Sequence, residues 1–155
     1  MDFDRLYEKA LKFLSFRPRS EKEIRDNLKK KKAPDSTVDL IIKKLRDQKF
    51  LNDKEFTKWW IEQRTIVKPT GVRIIRIELQ RKGIDKEMMQ EVLEDSSDIV
   101  HNELDMARNL VARKFKKYKG MERQEVYRKL GGFLSRRGFD YDTIKKAIDE
   151  ILRKE

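Results

Sequence analysis

The chain has 155 residues, 37% hydrophobic and 43% charged, with 39 Lys and Arg against 28 Asp and Glu and hence a net charge of +11. So lean an apolar fraction starves one thick core and suits several thin ones in a row. With no cysteine and a single histidine, His101, disulfides, thiolate zinc sites and a histidine-built metal centre are excluded, and no cofactor is expected.

Phe3, Leu6, Tyr7, Ala10, Leu11 and Leu14 share one helical face, so residues 3–15 read as an amphipathic helix ended by Pro18. Ser20 and Glu23 have the spacing of a capping box, opening a helix that runs to about Lys32 with Ile24 and Leu28 inward. Pro34 breaks it, Asp35 is the expected N-cap, and Val38, Ile41, Ile42 and Leu45 form the stripe of a third helix. Asn52 and Glu55 repeat the capping spacing before a helix carrying Phe56, Trp59, Trp60 and Val67. Adjacent tryptophans cannot both point inward: Trp60, on the stripe from Phe56 to Val67, is expected to be buried, and Trp59 to cover an adjoining unit.

Pro69, Thr70 and Gly71 turn the chain into a helix with Ile74, Ile75, Ile77 and Leu79, stopped by Gly83. Asp85 caps a short helix with Met88, Met89, Val92 and Leu93, and Asp95 to Ser97 read as a hinge or cap. A longer helix through Val100, Leu104, Ala107, Val111 and Phe115 finishes near Gly120. Next comes Arg123 to Arg137, interrupted at Gly131 and Gly132 by a kink or a close helix approach, and a last helix with Ile144, Ala147, Ile148 and Ile151. No stretch alternates long enough for a strand.

One pattern recurs three times: Ile24, Leu28, Lys32, Ala33, Val38; then Ile75, Leu79, Gly83, Ile84, Met88; then Leu130, Leu134, Gly138, Phe139, Ile144. Leu28 to Leu79 is 51 residues and Leu79 to Leu134 is 55, room for three ordinary helices per repeat. The expected fold is all-α, with three tandem three-helix, helix-turn-helix-like repeats (1–50, 51–96 and 97–155) forming an elongated curved array.

Charge is uneven along that array. Residues 1–50 hold 15 basic side chains against 9 acidic, 51–100 hold 9 against 10, and 101–155 hold 15 against 9. Arg64 to Lys82 carries six basic residues against Glu78 alone, whereas Asp85 to Asp105 carries eight acidic residues against Lys86. A basic surface attracts polyanions through counterion release, which makes nucleic acid the leading class of partner. No run approaches the ~20 apolar residues of a spanning helix, so no membrane partner is expected and the chain reads as cytoplasmic.

Candidate phosphate contacts are Lys29, Lys30, Lys31 and Lys32; Arg64, Lys68, Arg73, Arg76, Arg81 and Lys82 about the Pro69 turn; Arg113, Lys114 and Lys117, flanked by Lys116 and Lys119; and the pair Arg136 and Arg137. For each, the plainer reading is a solvated helix end whose charge complements the dipole. Trp59 and Trp60 could stack on bases, though core packing explains at least one of them. Glu91, Glu94, Asp95 and Asp98 could ligate a nuclease metal, yet nothing in their spacing makes them converge. His101 has no nucleophile or carboxylate set beside it and receives no role.

The run LRDQKFLNDKEFTKWWIEQR, Leu45 to Arg64, resembles the signature of the RecX family of bacterial recombinase regulators. RPRSEKEIRDNL, Arg17 to Leu28, is similar to that family's first-repeat motif, and GVRIIRIELQRKGID, Gly71 to Asp85, to its second. With the weaker third copy the resemblance extends from Leu11 to Ile151; Lys49 replaces the usual glycine, and Thr57 stands where alanine is usual. The resemblance implies a non-enzymatic regulator that lodges in the groove of the RecA filament on single-stranded DNA and suppresses ATP hydrolysis and strand exchange. The expected partners are then the RecA filament and single-stranded DNA, with double-stranded DNA a further candidate, and the expected state is a monomer. A sequence-specific helix-turn-helix reader is the alternative; charge spread over all three repeats, rather than one dominant recognition helix, argues mildly against it.

Overall fold

The computed structural model describes residues 2–96 and 103–154. Among them the chain is all-α: α1 (Phe3–Phe16), α2 (Glu21–Lys30), α3 (Asp35–Asp47), α4 (Asp53–Glu62), α5 (Val72–Arg81), α6 (Lys86–Asp95), α7 (Glu103–Phe115), α8 (Arg123–Arg136) and α9 (Tyr141–Arg153). Contacts divide the chain into two compact units, Met1–Trp60 with Glu78–Val92, and Ile61–Ile77 with Leu93–Glu155. Ser97, Asp98, Val100 and His101 lie outside the described residues. No helix among the described residues is long and apolar enough to cross a membrane.

The threefold sequence pattern is a recurring helix stop. In each copy the amide of the second apolar residue reaches back to the carbonyl of the leucine five positions earlier: Ala33 to Leu28 at 3.2 Å, Ile84 to Leu79 at 3.0 Å, Phe139 to Leu134 at 3.2 Å. That bond closes only if the residue before it turns left-handed, and Lys32, Gly83 and Gly138 have φ of 62°, 82° and 90°. The leucine is fully buried each time, so the stop fixes both the helix end and the inward face. Lysine is strained in that conformation where glycine is not. Lys32→Gly is therefore expected to raise the melting temperature by about 2–4 °C, corresponding to ~1 kcal/mol of relieved backbone strain, measured by thermal unfolding.

In the first unit, Ser20 and Glu23 form the expected capping box, the Ser20 hydroxyl accepting from the Glu23 amide at 3.2 Å and Glu23 Oε1 from the Ser20 amide at 3.1 Å. Leu6, Ala10, Ile24, Leu28, Val38, Ile41, Ile42, Leu45 and Leu51 make one core from α1, α2 and α3. At α3 the expected cap is wrong: Pro34 occupies the cap position without a side-chain bond, and Asp35 is already the first helical residue. Asp35 still places a carboxylate in the first turn, where the helix dipole favours it.

Asn52 caps α4 by accepting from the amides of Lys54 (2.9 Å) and Glu55 (3.1 Å), and Asp85 caps α6 by accepting from Met88 (2.8 Å). Thr57 is buried, its hydroxyl satisfied by the Asp53 carbonyl at 2.7 Å. The stripe predicted to run on to Val67 breaks, because residues Gln63–Val67 form a π-turn. An extra residue per turn rotates everything after it. Thr65 is buried in place of Val67, with its hydroxyl on the Ile61 carbonyl at 2.9 Å, while Ile66 and Val67 are 69% and 70% exposed. Trp60, ahead of the π-turn, is half-buried rather than core, and Ile77 faces outward from α5, which buries Ile75 and Leu79.

The second unit holds a larger core in which α9 packs on α7 and α8: Met106, Leu110, Val111 and Phe115 meet Val126, Leu130, Leu134, Ala147 and Ile148. Helix α8 runs unbroken through Gly131 and Gly132, so the predicted interruption is absent. A side chain on Gly131 would only touch Ile144 at 4.0 Å.

Candidate nucleic-acid interface

Within the second unit, the turn after the π-segment is pinned to the end of α8. The Gly71 amide donates to the Arg137 carbonyl at 2.7 Å, and the Arg137 guanidinium donates to the Pro69 carbonyl at 2.9 Å. Glu103 accepts from the Val72 amide at 2.6 Å, placing a carboxylate on the N-terminus of α5. This junction carries cations on both sides. Lys68 and Arg73 bracket the turn and are exposed, as is Arg76 one turn on, with Arg64 half-buried.

On the α8 side, Phe133 serves as a shared platform. Lys114 lies 4.0 Å and the Arg137 guanidinium 5.0 Å from its ring centre, a cation–π arrangement that fixes two long side chains otherwise free to wander. Arg136 is exposed, with a guanidinium nitrogen 3.2 Å from where a side chain on Gly132 would begin. The structure thus gathers Lys68, Lys114, Arg136 and Arg137, drawn from three separate stretches of sequence, about one junction. Arg113 and Lys117 are exposed on α7 and the turn after it.

In the first unit the predicted cations fare differently. Lys29, Lys30 and Lys32 are exposed at the end of α2, while Lys31 donates to Asn27 at 3.0 Å. Arg81 is exposed, but Lys82 is half-buried, 3.4 Å from Glu23 and 5.4 Å from the Trp60 ring centre. Glu23 is the hub there: it also takes an ion pair from Arg17, whose guanidinium lies 5.7 Å from the ring centres of both tryptophans. Burial alone would raise the Glu23 carboxyl; the Arg17 hydrogen bond, the Ser20 amide and the charges of Arg17 and Lys82 outweigh it and hold the group below the ordinary glutamate range. Lys82 is therefore a fold-holding residue, and Arg137 is partly one.

The sequence reading missed Arg17 and Phe133. Phe133 and Arg137 stand four apart on one helix, a spacing that brings side chains together and could have paired them. The acidic stretch is in part structural: Glu91 pairs with Lys54 at 2.7 Å, Asp105 with Arg108 at 2.7 Å, and Glu103 caps α5.

The helices define an all-α protein of successive three-helix repeats, with one basic junction inside the second unit. Comparison with known proteins gives the family. The models for the first, second and third three-helix domains of RecX match residues 7–45, 52–93 and 102–148. A regulatory protein RecX of Prosthecochloris aestuarii is 30% identical over 151 residues, covering 97% of this chain and 96% of that protein. That of Bacillus subtilis is 34% identical over 145 residues, covering 94% of this chain and 54% of the relative. The crystal structure of RecX from Lactobacillus salivarius superposes with a TM-score of 0.76 at 26% identity, covering 96% of this chain and 95% of that one. The chain belongs to the RecX family of regulatory proteins. It spans about half the length of the Bacillus and Listeria relatives it matches.

Proposed function

We propose that this chain is a non-catalytic regulator that binds, as a monomer, the filament RecA recombinase forms on single-stranded DNA, and that it lowers the filament's ATP hydrolysis and strand exchange. What supports the reading is the junction in the second unit, where Arg137 binds the Pro69 carbonyl and shares Phe133 with Lys114, while Lys68 and Arg73 flank the turn in sequence and Arg136 precedes Arg137. A nucleoprotein filament presents phosphates at several separated points, and cations fixed on a rigid junction contact them at less entropic cost than cations on a flexible tail.

Titrating the protein into RecA on single-stranded DNA is expected to lower the ATPase rate at or below equimolar amounts; an unchanged rate at saturation overturns the reading. The double reversal Arg73→Glu with Arg76→Glu replaces two exposed cations near the junction. It is expected to weaken inhibition about ten-fold or more and to flatten its salt dependence, with little change in melting temperature.

A further inference from the structure

In the first unit, a groove of about 540 Å³ opens between the start of α2, the end of α3 and α4, lined among others by Arg19, Arg46, Lys49, Phe50, Glu55 and Trp59. We infer that this groove is a second nucleic-acid site, one that takes single-stranded polynucleotide with bases against Phe50 and Trp59 and phosphates against Arg46 and Lys49. The inference deepens the reading of the chain as a partner of nucleic acid, but it does not require the recombinase.

The end of α3 copies the helix stop of the three repeats with one telling difference. The Phe50 amide reaches the Leu45 carbonyl at 2.9 Å and Lys49 sits at φ 63°. In the other copies the residue after the left-handed position is buried or half-buried; here it is a phenylalanine 54% exposed. The left-handed position itself holds a lysine, as it does at Lys32 in the first repeat, and Lys49 pairs with no acid among the described residues. Neither choice helps the fold: an exposed aromatic gains no burial and a left-handed lysine costs backbone energy. Both make sense for a ligand with flat apolar faces strung on a charged backbone.

The rest of the lining agrees. Trp59 is half-buried beneath the Arg17 guanidinium at 5.7 Å, which fixes the indole. Arg46 is held by an ion pair to Glu21, and Arg19 by the Phe13 carbonyl at 3.1 Å and the Phe13 ring at 3.7 Å, so both guanidinium groups are set before a ligand arrives. The one carboxylate of the lining, Glu55, is 3.5 Å from Lys58; Arg46 and Arg19 are paired with Glu21 and Glu23 beyond the lining, so the cation left for a ligand's phosphate without an acid partner among the described residues is Lys49. Aromatic faces with a basic track form a platform that binds single strands without sequence preference.

The test uses the whole chain and a labelled oligothymidylate, with no recombinase present. The parent is expected to bind with quenching of its tryptophan fluorescence. Phe50→Ala is expected to weaken binding about five-fold or more. Lys49→Gly is expected to weaken binding and to reduce the slope of log affinity against log salt by about 0.7. The same variant should melt about 2–4 °C higher, because glycine relieves the left-handed backbone. Opposite movement of stability and affinity in one variant is a result that a merely structural lysine would not give. Unchanged oligonucleotide binding in both variants overturns the proposal, as does ATP competing as well as an oligonucleotide of equal nucleotide concentration. Normal oligonucleotide binding with lost ATPase inhibition would also overturn it, assigning the groove to a protein instead. If the parent binds the oligonucleotide through these residues yet leaves the RecA ATPase untouched, the site stands and the filament reading falls.

Discussion

Gly71→Ala is expected to be among the most damaging single substitutions in this chain, although it adds one methyl group and Gly71 has an ordinary backbone conformation. A Cβ at that position would lie 2.2 Å from the Gly138 carbonyl oxygen, 2.4 Å from its carbon and 2.9 Å from the Phe139 nitrogen. All three are backbone atoms, so no rotamer change relieves the overlap. The chain would have to separate two segments that the Gly71–Arg137 bond holds at 2.7 Å, with loss of the Arg137–Pro69 bond beside it. Overpacking of this kind costs about 3 kcal/mol, or roughly 6–12 °C in melting temperature for a protein of this size. Gly120→Ala is the control, since Gly120 is left-handed at φ 86° with nothing near its missing side chain. It should cost only about 1 kcal/mol. Equal melting temperatures for the two variants would show that the junction is not packed as described. Because the junction positions Lys68 and Arg137, Gly71→Ala should also weaken ATPase inhibition even at temperatures where it remains folded.

The helix stops explain why so much of this fold was legible in the sequence. A Leu, then a left-handed residue four positions on, then an apolar one, is a physical requirement of the bond that ends each helix, so the pattern survives where other positions drift. It located α2, α5 and α8 to within a few residues and, with the capping residues Ser20, Asn52 and Asp85, the starts of α2, α4 and α6. The π-turn at Gln63–Val67 left no such trace. Within it the Thr65 hydroxyl donates to the Ile61 carbonyl at 2.9 Å, and a periodicity fitted to 3.6 residues carried the stripe straight through to Val67. Asp35 was misassigned for a smaller reason: a proline can hold the extended cap geometry unaided, so a capping residue was not needed.

The candidate interface was legible only as a list of cations. Sequence shows where positive charge is dense, but not which charges the fold consumes. Lys82 was read with the Pro69 group and is held in the Glu23 and Trp60 cluster, whereas Lys114, one of a run of lysines, is fixed on Phe133. The contact of the Pro69 turn with Arg137 spans 68 residues of chain, beyond the reach of any local pattern. The groove beside α3 was passed over for the opposite reason: the lysine in place of a glycine was read as a departure in a turn, when its left-handed backbone adds a cation to an aromatic cleft.

Glu23→Gln isolates the charge at the centre of the first unit, because an amide can still accept from the Ser20 amide and preserve the capping box. What is lost is the carboxylate that Arg17 and Lys82 share in a side chain only 12% exposed. Hydrogen bonds to a charged group of this kind contribute about 2 kcal/mol, so the variant is expected to be less stable by that amount at neutral pH in chemical denaturation. The pH dependence follows from the direction of the shift. A carboxyl held below its ordinary value binds fewer protons folded than unfolded, so its stabilisation is present above the glutamate range and is lost as pH falls through the folded value. Asp53 opposes this. Burial raises its carboxyl, with Asp85 and Glu23 adding to the rise and Arg46 opposing it. It therefore costs stability at neutral pH, and that cost is relieved as pH falls through its raised value. The carboxyls of Glu125 and Glu150 also lie low, but they are fully exposed and screened, so they add little. The parent should thus lose stability on acidification less steeply than Glu23 alone dictates, and in the Glu23→Gln variant, where Asp53 remains, that loss should be absent or reversed, the gap between the two curves closing as pH falls through the folded value of Glu23. A constant gap between the curves from neutral to acid pH would mean that the glutamine disturbs packing rather than charge.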